Sequence, residues 1–275
     1  MNLPQPSHGR VDPSLLDWLR ETIRIGSDLT QSVLTLRNQG YSDELILDAI
    51  EELSPGGDAF EQGVMTPPLL QRAPAKLRRV GPDHLQLYAL DDALSARDCA
   101  RVIALINHHL RPSTLSYPSP DNEFRTSQTS DLCFLKSPVA LAMDEKICRT
   151  IGIREAYAEG IQAQRYDVGQ QFKPHWDYYM PDTQAFAKFA TIRGNRTWTF
   201  MVYLNDGMEG GATRFTEIDL AFQPKAGMAL IWNNLKEDGS PNPATMHCGE
   251  PVTRGHKLII TKWFRRYGEG PLFYE

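Results

Sequence analysis

Short β-forming runs dominate the second half of the chain. Apolar and β-branched residues recur there in segments of strand length, and turn-forming sequences such as Asn205-Asp206-Gly207, Gly210-Gly211 and Lys225-Ala226-Gly227 separate them. The predicted strands span residues 162–166, 175–179, 197–204, 212–215, 229–232, 246–250 and 257–265. Many short strands joined by regular turns are typical of a β-sandwich or a jelly-roll barrel. The pattern therefore predicts a mainly β fold for this region.

Helical patterns precede these strands. Residues 85–88 are predicted to form an earlier strand, Ser95 is predicted to cap a helix that runs to about His109, and residues 138–151 are predicted to form another helix. With such flanking helices the expected fold class is α+β, mainly β.

A small helical module is predicted at the N-terminus. Asp12 and Pro13 have the order of an N-cap and a first-turn proline, Gly26 and Gly40 are helix stops, and Ser42 is a further N-cap. Three short helices would therefore form a bundle over residues 12–53, after a flexible N-terminus over residues 1–11. Such a bundle could bind a partner, bind a second subunit, or cover one face of the barrel.

A change of composition follows this module. Pro55-Gly56-Gly57 and Pro67-Pro68 are typical of a linker, which we place at residues 54–80. The larger domain is then predicted to occupy residues 81–275.

Charge and cysteine content exclude several classes of protein. The net charge of −5 gives no electrostatic footprint for nucleic acid or for an anionic membrane. No segment approaches the roughly 20 apolar residues that span a bilayer. The four cysteines are scattered and form no Cys-x-x-Cys pair. Reduced thiols and the absence of a signal pattern predict a cytoplasmic protein.

The most informative polar pattern is the pair His175 and Asp177. Two histidines and one carboxylate are the ligand set of a non-haem iron(II) that keeps positions open for oxygen and a co-substrate. Residues two apart on a strand share a face, so both side chains could reach one metal. The same pair could also be two polar residues on a solvent-facing strand, so a third ligand is needed.

His247 and His256 both qualify as the third ligand. His256 directly precedes Lys257 at the start of an apolar run, so the two side chains point to opposite faces of one strand. A lysine that faces into a barrel is costly unless an anion pairs with it. If Lys257 faces inward to hold a dicarboxylate, His256 faces outward and His247 is the ligand. If Lys257 is a surface residue, this choice stays open.

Motifs in a fixed order resemble those of the prolyl 4-hydroxylase-like branch of the iron(II)/2-oxoglutarate dioxygenases. The resemblance covers roughly residues 84 to 267. The residues that carry it are Arg125-Thr126-Ser127, Arg165-Tyr166-x-x-Gly169, Phe172-x-Pro174-His175-x-Asp177-Tyr178, Arg196-x-x-Thr199, Val202-Tyr203-Leu204-Asn205, Gly210-Gly211-x-Thr213-x-Phe215, His247-x-x-x-x-Pro251-Val252-x-x-Gly255-x-Lys257 and Trp263.

This resemblance implies a double-stranded β-helix (jelly-roll) core and a set of residue roles. His175, Asp177 and His247 would bind Fe(II). Lys257 and Thr199 would hold the distal carboxylate of 2-oxoglutarate, and Tyr166 would hydrogen-bond the same co-substrate. The implied substrate residues are Trp263, Tyr178, Tyr179 and Phe172.

The implied reaction is hydroxylation of a C–H bond with O2 and 2-oxoglutarate, which releases succinate and CO2. Ascorbate is an expected reductant. The favoured substrate is a prolyl residue in a protein or peptide. Because the family usually carries tyrosine at the position of Phe172, hydroxylation of a free amino acid or another small molecule is the second hypothesis. A non-catalytic β-barrel binding module is the third.

Overall fold

The computed structural model describes residues 13–24, 29–53, 76–115, 120–135, 137–191 and 193–266. Within these ranges, no helix combines the length and the apolar character needed to cross a bilayer. The expectations for residues 1–12, for a helix stop at Gly26 and for most of the linker fall outside the described residues.

Three helices lie at the N-terminal end: α1 (Pro13–Arg24), α2 (Leu29–Asn38) and α3 (Asp43–Leu53). Apolar side chains from all three share one buried cluster, which includes Leu15, Leu19, Val33, Leu36, Ile46 and Ala49. Gly40 follows α2 with a left-handed φ of 87°, the conformation for which glycine is favoured after a helix. The Ser42 hydroxyl accepts a hydrogen bond from the Leu45 backbone at 3.3 Å and caps α3, as its sequence predicts.

Three further helices belong to the larger part of the chain: α4 (Ala96–Ile106), α5 (Pro138–Ile151) and α6 (Gln184–Phe189). A capping box of Ser95 and Asp98 starts α4. This helix ends at Ile106, before the expected end at about His109, and a turn follows it. The bounds of α5 are those that the sequence predicts, with Gly152 in a left-handed conformation after its last turn.

Fourteen antiparallel strands lie in the described part of the chain, and three sheets contain them. The strands are β1 (Leu77–Arg79), β2 (Leu87–Leu90), β3 (Arg111–Pro112), β4 (Gln128–Asp131), β5 (Gln162–Tyr166), β6 (Phe172–His175), β7 (Arg196–Tyr203), β8 (Glu209–Gly210), β9 (Thr213–Phe215), β10 (Leu220–Phe222), β11 (Ala229–Asn233), β12 (His247–Gly249), β13 (Val252–Arg254) and β14 (Lys257–Arg265).

An eight-stranded sheet in the order β1-β2-β11-β7-β14-β5-β4-β3 forms the larger layer. A four-stranded sheet in the order β10-β9-β12-β6 forms a second layer, and β13 pairs with β8. The mainly β, antiparallel fold with flanking helices is thus confirmed.

The central strands β7, β11 and β14 of the large sheet bury both of their faces. On β14, Leu258, Ile260 and Phe264 share a buried cluster with side chains of α4 and α5. The alternate residues Lys257, Ile259, Thr261 and Trp263 line a cleft, which residues of the small sheet also line. Because successive side chains of a strand point to opposite faces, one nine-residue strand contributes to the helix-packed core and to the cleft.

Candidate active site

His175, Asp177 and His247 meet at one wall of this cleft. His175 ends β6, His247 begins the neighbouring β12, and the two residues are paired across the ladder. The Nε2 atoms of His175 and His247 lie 3.9 and 4.0 Å from Oδ1 of Asp177. One ligand atom from each residue falls within 4.8 Å of the others, the arrangement needed for a shared metal ion. His256 is not in this group.

Asp177 does not lie on a strand, so the strand predicted for residues 175–179 is wrong. Pairing of β6 with β12 stops at His175, and Asp177 occupies the turn that follows. The carboxylate therefore reaches the histidines from a turn rather than by sharing a strand face with His175.

Backbone carbonyls orient both histidine rings. Nδ1 of His175 is 2.8 Å from the Lys173 oxygen, and Nδ1 of His247 is 2.9 Å from the Thr245 oxygen. A carbonyl only accepts, so Nδ1 carries a hydrogen in each ring, and in the neutral form of the ring Nε2 keeps its lone pair. Such outer hydrogen bonds are the usual means by which metal-binding histidines are held.

A stack of side chains supports the His175 ring from the side. The Phe172 ring lies parallel to it, with 3.5 Å between centroids and 14° between planes. The Arg125 guanidinium lies 4.8 Å from the Phe172 centroid and is held by the Gln162 side chain at 2.9 Å. Phe172, predicted as a substrate residue, thus lines the cleft and also packs against a metal-ligand candidate.

Two residues of β7 hold Asp177. The Thr199 hydroxyl donates to Oδ2 at 2.7 Å, and Nη1 of Arg196 donates to the Asp177 backbone oxygen at 3.2 Å. Oδ2 is therefore occupied by a protein donor, whereas Oδ1 lies nearest the two histidines.

The protonation states of His175 and Asp177 suit metal binding. Burial, reinforced by the charge of His247, lowers the pKa of His175 to about 3. Burial by itself would raise the pKa of Asp177, but the charges of His247, His175 and Arg196 lower it. A neutral His175 and an ionised Asp177 are the forms of these two side chains that bind a divalent metal.

Lys257 lies deep in the cleft and faces inward. Only 2% of it is exposed, and its Nζ donates to the Gly211 backbone oxygen at 2.8 Å and lies 3.5 Å from the Thr213 hydroxyl. Burial lowers its pKa to about 8. No carboxylate is paired with this ammonium in the described part of the chain, so an anionic ligand would complete it.

Tyr166 lies where the sequence places it, beside Lys257. The two residues are paired across β5 and β14, and Nζ lies 5.1 Å from the tyrosine ring centroid. Burial raises the pKa of the Tyr166 phenol, which therefore stays a neutral donor; in this structure it donates to Oε1 of Gln164 at 3.3 Å.

Thr199 does not lie beside Lys257, which corrects its predicted role in holding the same carboxylate. It is paired with Trp263, six positions along β14 from Lys257 and thus roughly 20 Å away. The threonine near the ammonium is Thr213, which belongs to the Gly210-Gly211-x-Thr213 motif. That motif was visible in the sequence, but the strand pairing that brings it to Lys257 was not.

Gly249 lies between Lys257 and Tyr166 in the wall of the cleft. A Cβ added to Gly249 would lie 3.7 Å from the Lys257 Nζ and 3.8 Å from Cε1 of Tyr166. The cavity volume of the whole cleft is about 390 Å³, and it extends from Lys257 past the two histidines and Asp177 to Trp263. Because Gly249 has no side chain, the point between the lysine and the tyrosine is left unfilled.

The other end of the cleft is a charged cluster that the sequence did not reveal. Glu159 accepts two hydrogen bonds from Arg196, at 2.8 and 2.7 Å, and one from Arg265 at 3.1 Å. Burial opposes the charge of Glu159, but the arginines still hold its pKa at about 2. The Arg196 guanidinium also covers the Trp263 ring at 4.0 Å, so Trp263 lines the cleft in a fixed position.

Tyr178 and Tyr179 are both buried and neither lines the cleft, contrary to their predicted contact with substrate. The turn after β6 presents Trp176 to the cleft instead, with Tyr178 stacked against its outer side at 5.5 Å. Tyr179 lies between Phe189 and Arg196. The strand predicted for residues 175–179 would not have placed Trp176, Tyr178 and Tyr179 in a turn.

Residues 161–265 match the family model described as the 2OG-Fe(II) oxygenase superfamily. This segment holds His175, Asp177, His247 and Lys257. A domain of this family takes iron(II), 2-oxoglutarate and oxygen. The chain therefore contains a 2OG-Fe(II) oxygenase domain.

Within that family the chain is similar to the prolyl 4-hydroxylases. It is 31% identical over 192 residues to prolyl 4-hydroxylase subunit alpha-1 of Bos taurus and of Homo sapiens, which covers 68% of this chain and 36% of each relative. The human subunit alpha-3 is 32% identical over 149 residues, or 54% of this chain and 27% of the relative. The chain thus spans about a third of the length of the curated relatives that it matches.

Two solved structures share the fold. The viral collagen prolyl hydroxylase from Paramecium Bursaria Chlorella virus-1, solved with 2OG, superposes with a TM-score of 0.50 at 23% identity and covers 65% of this chain and 94% of that one. A Trichoplax adhaerens prolyl hydroxylase in complex with a hypoxia inducible factor peptide superposes with a TM-score of 0.51 at 12% identity. The match covers 78% of this chain and 93% of that one.

Proposed function

We propose that the protein is an Fe(II)- and 2-oxoglutarate-dependent dioxygenase that hydroxylates a prolyl residue in a protein or peptide and releases succinate and CO2. One observation carries the proposal: a buried group of two histidines and an aspartate shares a cleft with a buried lysine that has no carboxylate partner among the described residues. The first feature suits a metal with open positions, and the second suits a dicarboxylate.

The residues of the site fit both groups. His175 and His247 would bind the iron through Nε2, and Asp177 would bind it through Oδ1. When bound, iron(II) activates oxygen and couples the oxidative decarboxylation of 2-oxoglutarate to hydroxylation of a C–H bond. The protein's own part is to hold these ligands, orient the co-substrate and exclude water.

Lys257 and Thr213 would hold the distal carboxylate of 2-oxoglutarate. The lysine supplies the positive charge, and Tyr166 supplies a neutral O–H from the neighbouring strand. Gly249 supplies the space. The keto-acid end would then point along the cleft towards His175 and His247.

The substrate would enter at the Trp263 end of the cleft. Trp176, which also lines the cleft, offers apolar surface that suits a proline ring. The names of the relatives, prolyl 4-hydroxylase subunits alpha-1 and alpha-3, support a prolyl substrate. A peptide in the Trichoplax structure supports substrates of that size.

We further propose that the two facing sheets form a double-stranded β-helix within a catalytic domain at residues 81–275. The N-terminal helices would form a separate module at residues 12–53 that binds a partner or a second subunit. Cys99, Cys148 and Cys248 form no disulfide, which supports a cytoplasmic location.

The proposal is tested with the full chain, Fe(II), 2-oxoglutarate, oxygen and proline-rich peptides, with and without ascorbate. We expect succinate release and a gain of one oxygen on a peptide proline by mass spectrometry. His175→Ala should abolish both, whereas the matched control His256→Ala should not. A wild-type protein that retains no iron and forms no succinate would refute the oxygenase assignment. Hydroxylation of free amino acids alone would refute the peptide assignment.

A further inference from the structure

A chain of buried hydrogen bonds leads from the core to the Asp177 carboxylate. Nε1 of Trp232 donates to Oδ1 of Asn234 at 3.0 Å, and Nδ2 of Asn234 donates to the Thr199 hydroxyl at 2.8 Å. Thr199 then donates to Oδ2 of Asp177 at 2.7 Å. All four side chains are at most 7% exposed, so water does not compete for these bonds.

The direction of every bond in this chain is fixed. An indole nitrogen only donates, so the Asn234 oxygen must face Trp232 and its amide nitrogen must face Thr199. The Thr199 hydroxyl accepts from Asn234, and its single hydrogen is then directed to Asp177. Because Trp232 can only donate, the Thr199 hydroxyl presents its hydrogen, and not a lone pair, to the Asp177 carboxylate.

The same indole also contacts a second member of the proposed iron site. The Trp232 ring meets the His247 ring edge-on, with 4.9 Å between centroids and 67° between planes. Trp232 therefore packs directly against one proposed ligand and reaches another through two hydrogen-bonded side chains.

We propose that Trp232 and Asn234 are positioning residues which act through Thr199 to keep Oδ2 of Asp177 occupied and Oδ1 turned towards the two histidines. This inference rests on the proposed function, because it assigns Oδ1 as the atom that binds the metal. The need for such a device follows from the local structure: Asp177 lies in a turn, and the bond from Arg196 reaches only its backbone oxygen. A bond to the backbone does not fix the rotation of a carboxylate.

The test measures Mn(II) binding, without turnover, by calorimetry on the full chain. Thr199→Val keeps the shape of the side chain but removes the donor, and we expect the Mn(II) dissociation constant to rise about 10- to 100-fold. Thr199→Ser keeps the hydroxyl and should restore binding to within about threefold of wild type. Thr197→Val is the matched control, since Thr197 is a buried threonine of β7 whose hydroxyl donates to the Phe264 backbone oxygen. Its Mn(II) affinity should be unchanged.

Asn234→Asp tests the polarity itself. An aspartate there accepts from both Trp232 and Thr199, so the Thr199 hydrogen turns away from Asp177 and a lone pair faces Oδ2. We expect Mn(II) binding to weaken at least as much as in Thr199→Val. Asn234→Leu, which removes the donor to Thr199 without adding a charge, serves as the second variant and should weaken binding about tenfold.

The outcomes distinguish failure of the positioning role from failure of the proposed function. Wild-type affinity in Thr199→Val and in both Asn234 variants would overturn the positioning role and leave the proposed function intact. Equal losses in Thr199→Val and Thr197→Val would show a general effect on packing and would also overturn it. A wild-type protein that binds no Mn(II) would overturn the proposed iron site together with this inference.

Discussion

Removal of the buried charge at Lys257 should stabilise the protein while it weakens co-substrate binding. In the protein without 2-oxoglutarate, burial lowers the lysine pKa from 10.5 to about 8. At neutral pH the folded state therefore holds an ammonium that would be about 3 kcal/mol better solvated in the unfolded chain. Lys257→Met removes that penalty and keeps most of the side-chain volume.

The net effect is smaller than the penalty. The variant loses the hydrogen bond from Nζ to the Gly211 oxygen, which contributes about 1 kcal/mol. A net gain of about 2 kcal/mol remains, which raises the Tm by roughly 4–8 °C in a protein of this size. The affinity for 2-oxoglutarate should fall in the same variant by at least tenfold, since its distal carboxylate loses a charged donor.

Lys262→Met is the matched control on the same strand. Lys262 is also buried, but it faces α5 and is paired with Asp144 at 2.5 Å. Its removal leaves the Asp144 carboxylate, whose side chain is 15% exposed, without its cation, so we expect a loss of about 1–3 kcal/mol instead of a gain. Scanning calorimetry at pH 7 measures both variants, and calorimetric titration of 2-oxoglutarate into the Mn(II)-loaded protein measures affinity. A Lys257→Met variant that is less stable than wild type, or that binds 2-oxoglutarate equally well, would refute the reasoning.

Three further predictions concern the same cleft. The 2-oxoglutarate affinity of the Mn(II) protein should fall by up to about tenfold per pH unit above pH 8, because free Lys257 loses its proton there, and Lys257→Arg should flatten this titration. Gly249→Leu should reduce 2-oxoglutarate affinity at least tenfold by filling the space beside the ammonium, with Mn(II) affinity unchanged in the same calorimeter. Glu159, whose pKa is lowered from 4.5 to about 2, stabilises the fold above pH 4.5 and loses this effect as the pH falls towards 2. Glu159→Gln should therefore lose about 3 kcal/mol at pH 7 in urea unfolding, and equal stability at pH 7 and pH 2 in wild type would contradict this.

Regular periodicity made part of the fold predictable from the sequence. The bounds of α5 and β14 agree with the prediction, because Ser137 and Gly152 mark the ends of the helix and the apolar run after Lys257 marks the strand. Lys257 faces the cleft, as the family resemblance implies. The apolar run alone does not decide this orientation, because a lysine at the start of a strand can also lie at the surface.

Features of the site that depend on contacts between distant parts of the chain could not be predicted from the sequence. Thr199 was assigned to the wrong end of the cleft because its partner depends on the register of β7 against β14, which no local pattern reveals. The spacing of His175 and Asp177 fits a strand and a turn equally well. Glu159 precedes a glycine and has no apolar periodicity around it, so a buried cluster with Arg196 and Arg265 left no local signal.

The two sheets contribute different parts of the site. The small sheet supplies His175 and His247 on adjacent strands, and their distance is fixed by one ladder. Asp177 is held by Thr199 and Arg196 of the large sheet, which also carries Lys257. The group of three is therefore complete only when the two sheets are packed together. A metal bound to all three would connect the layers, so metal affinity and sheet packing should be thermodynamically coupled.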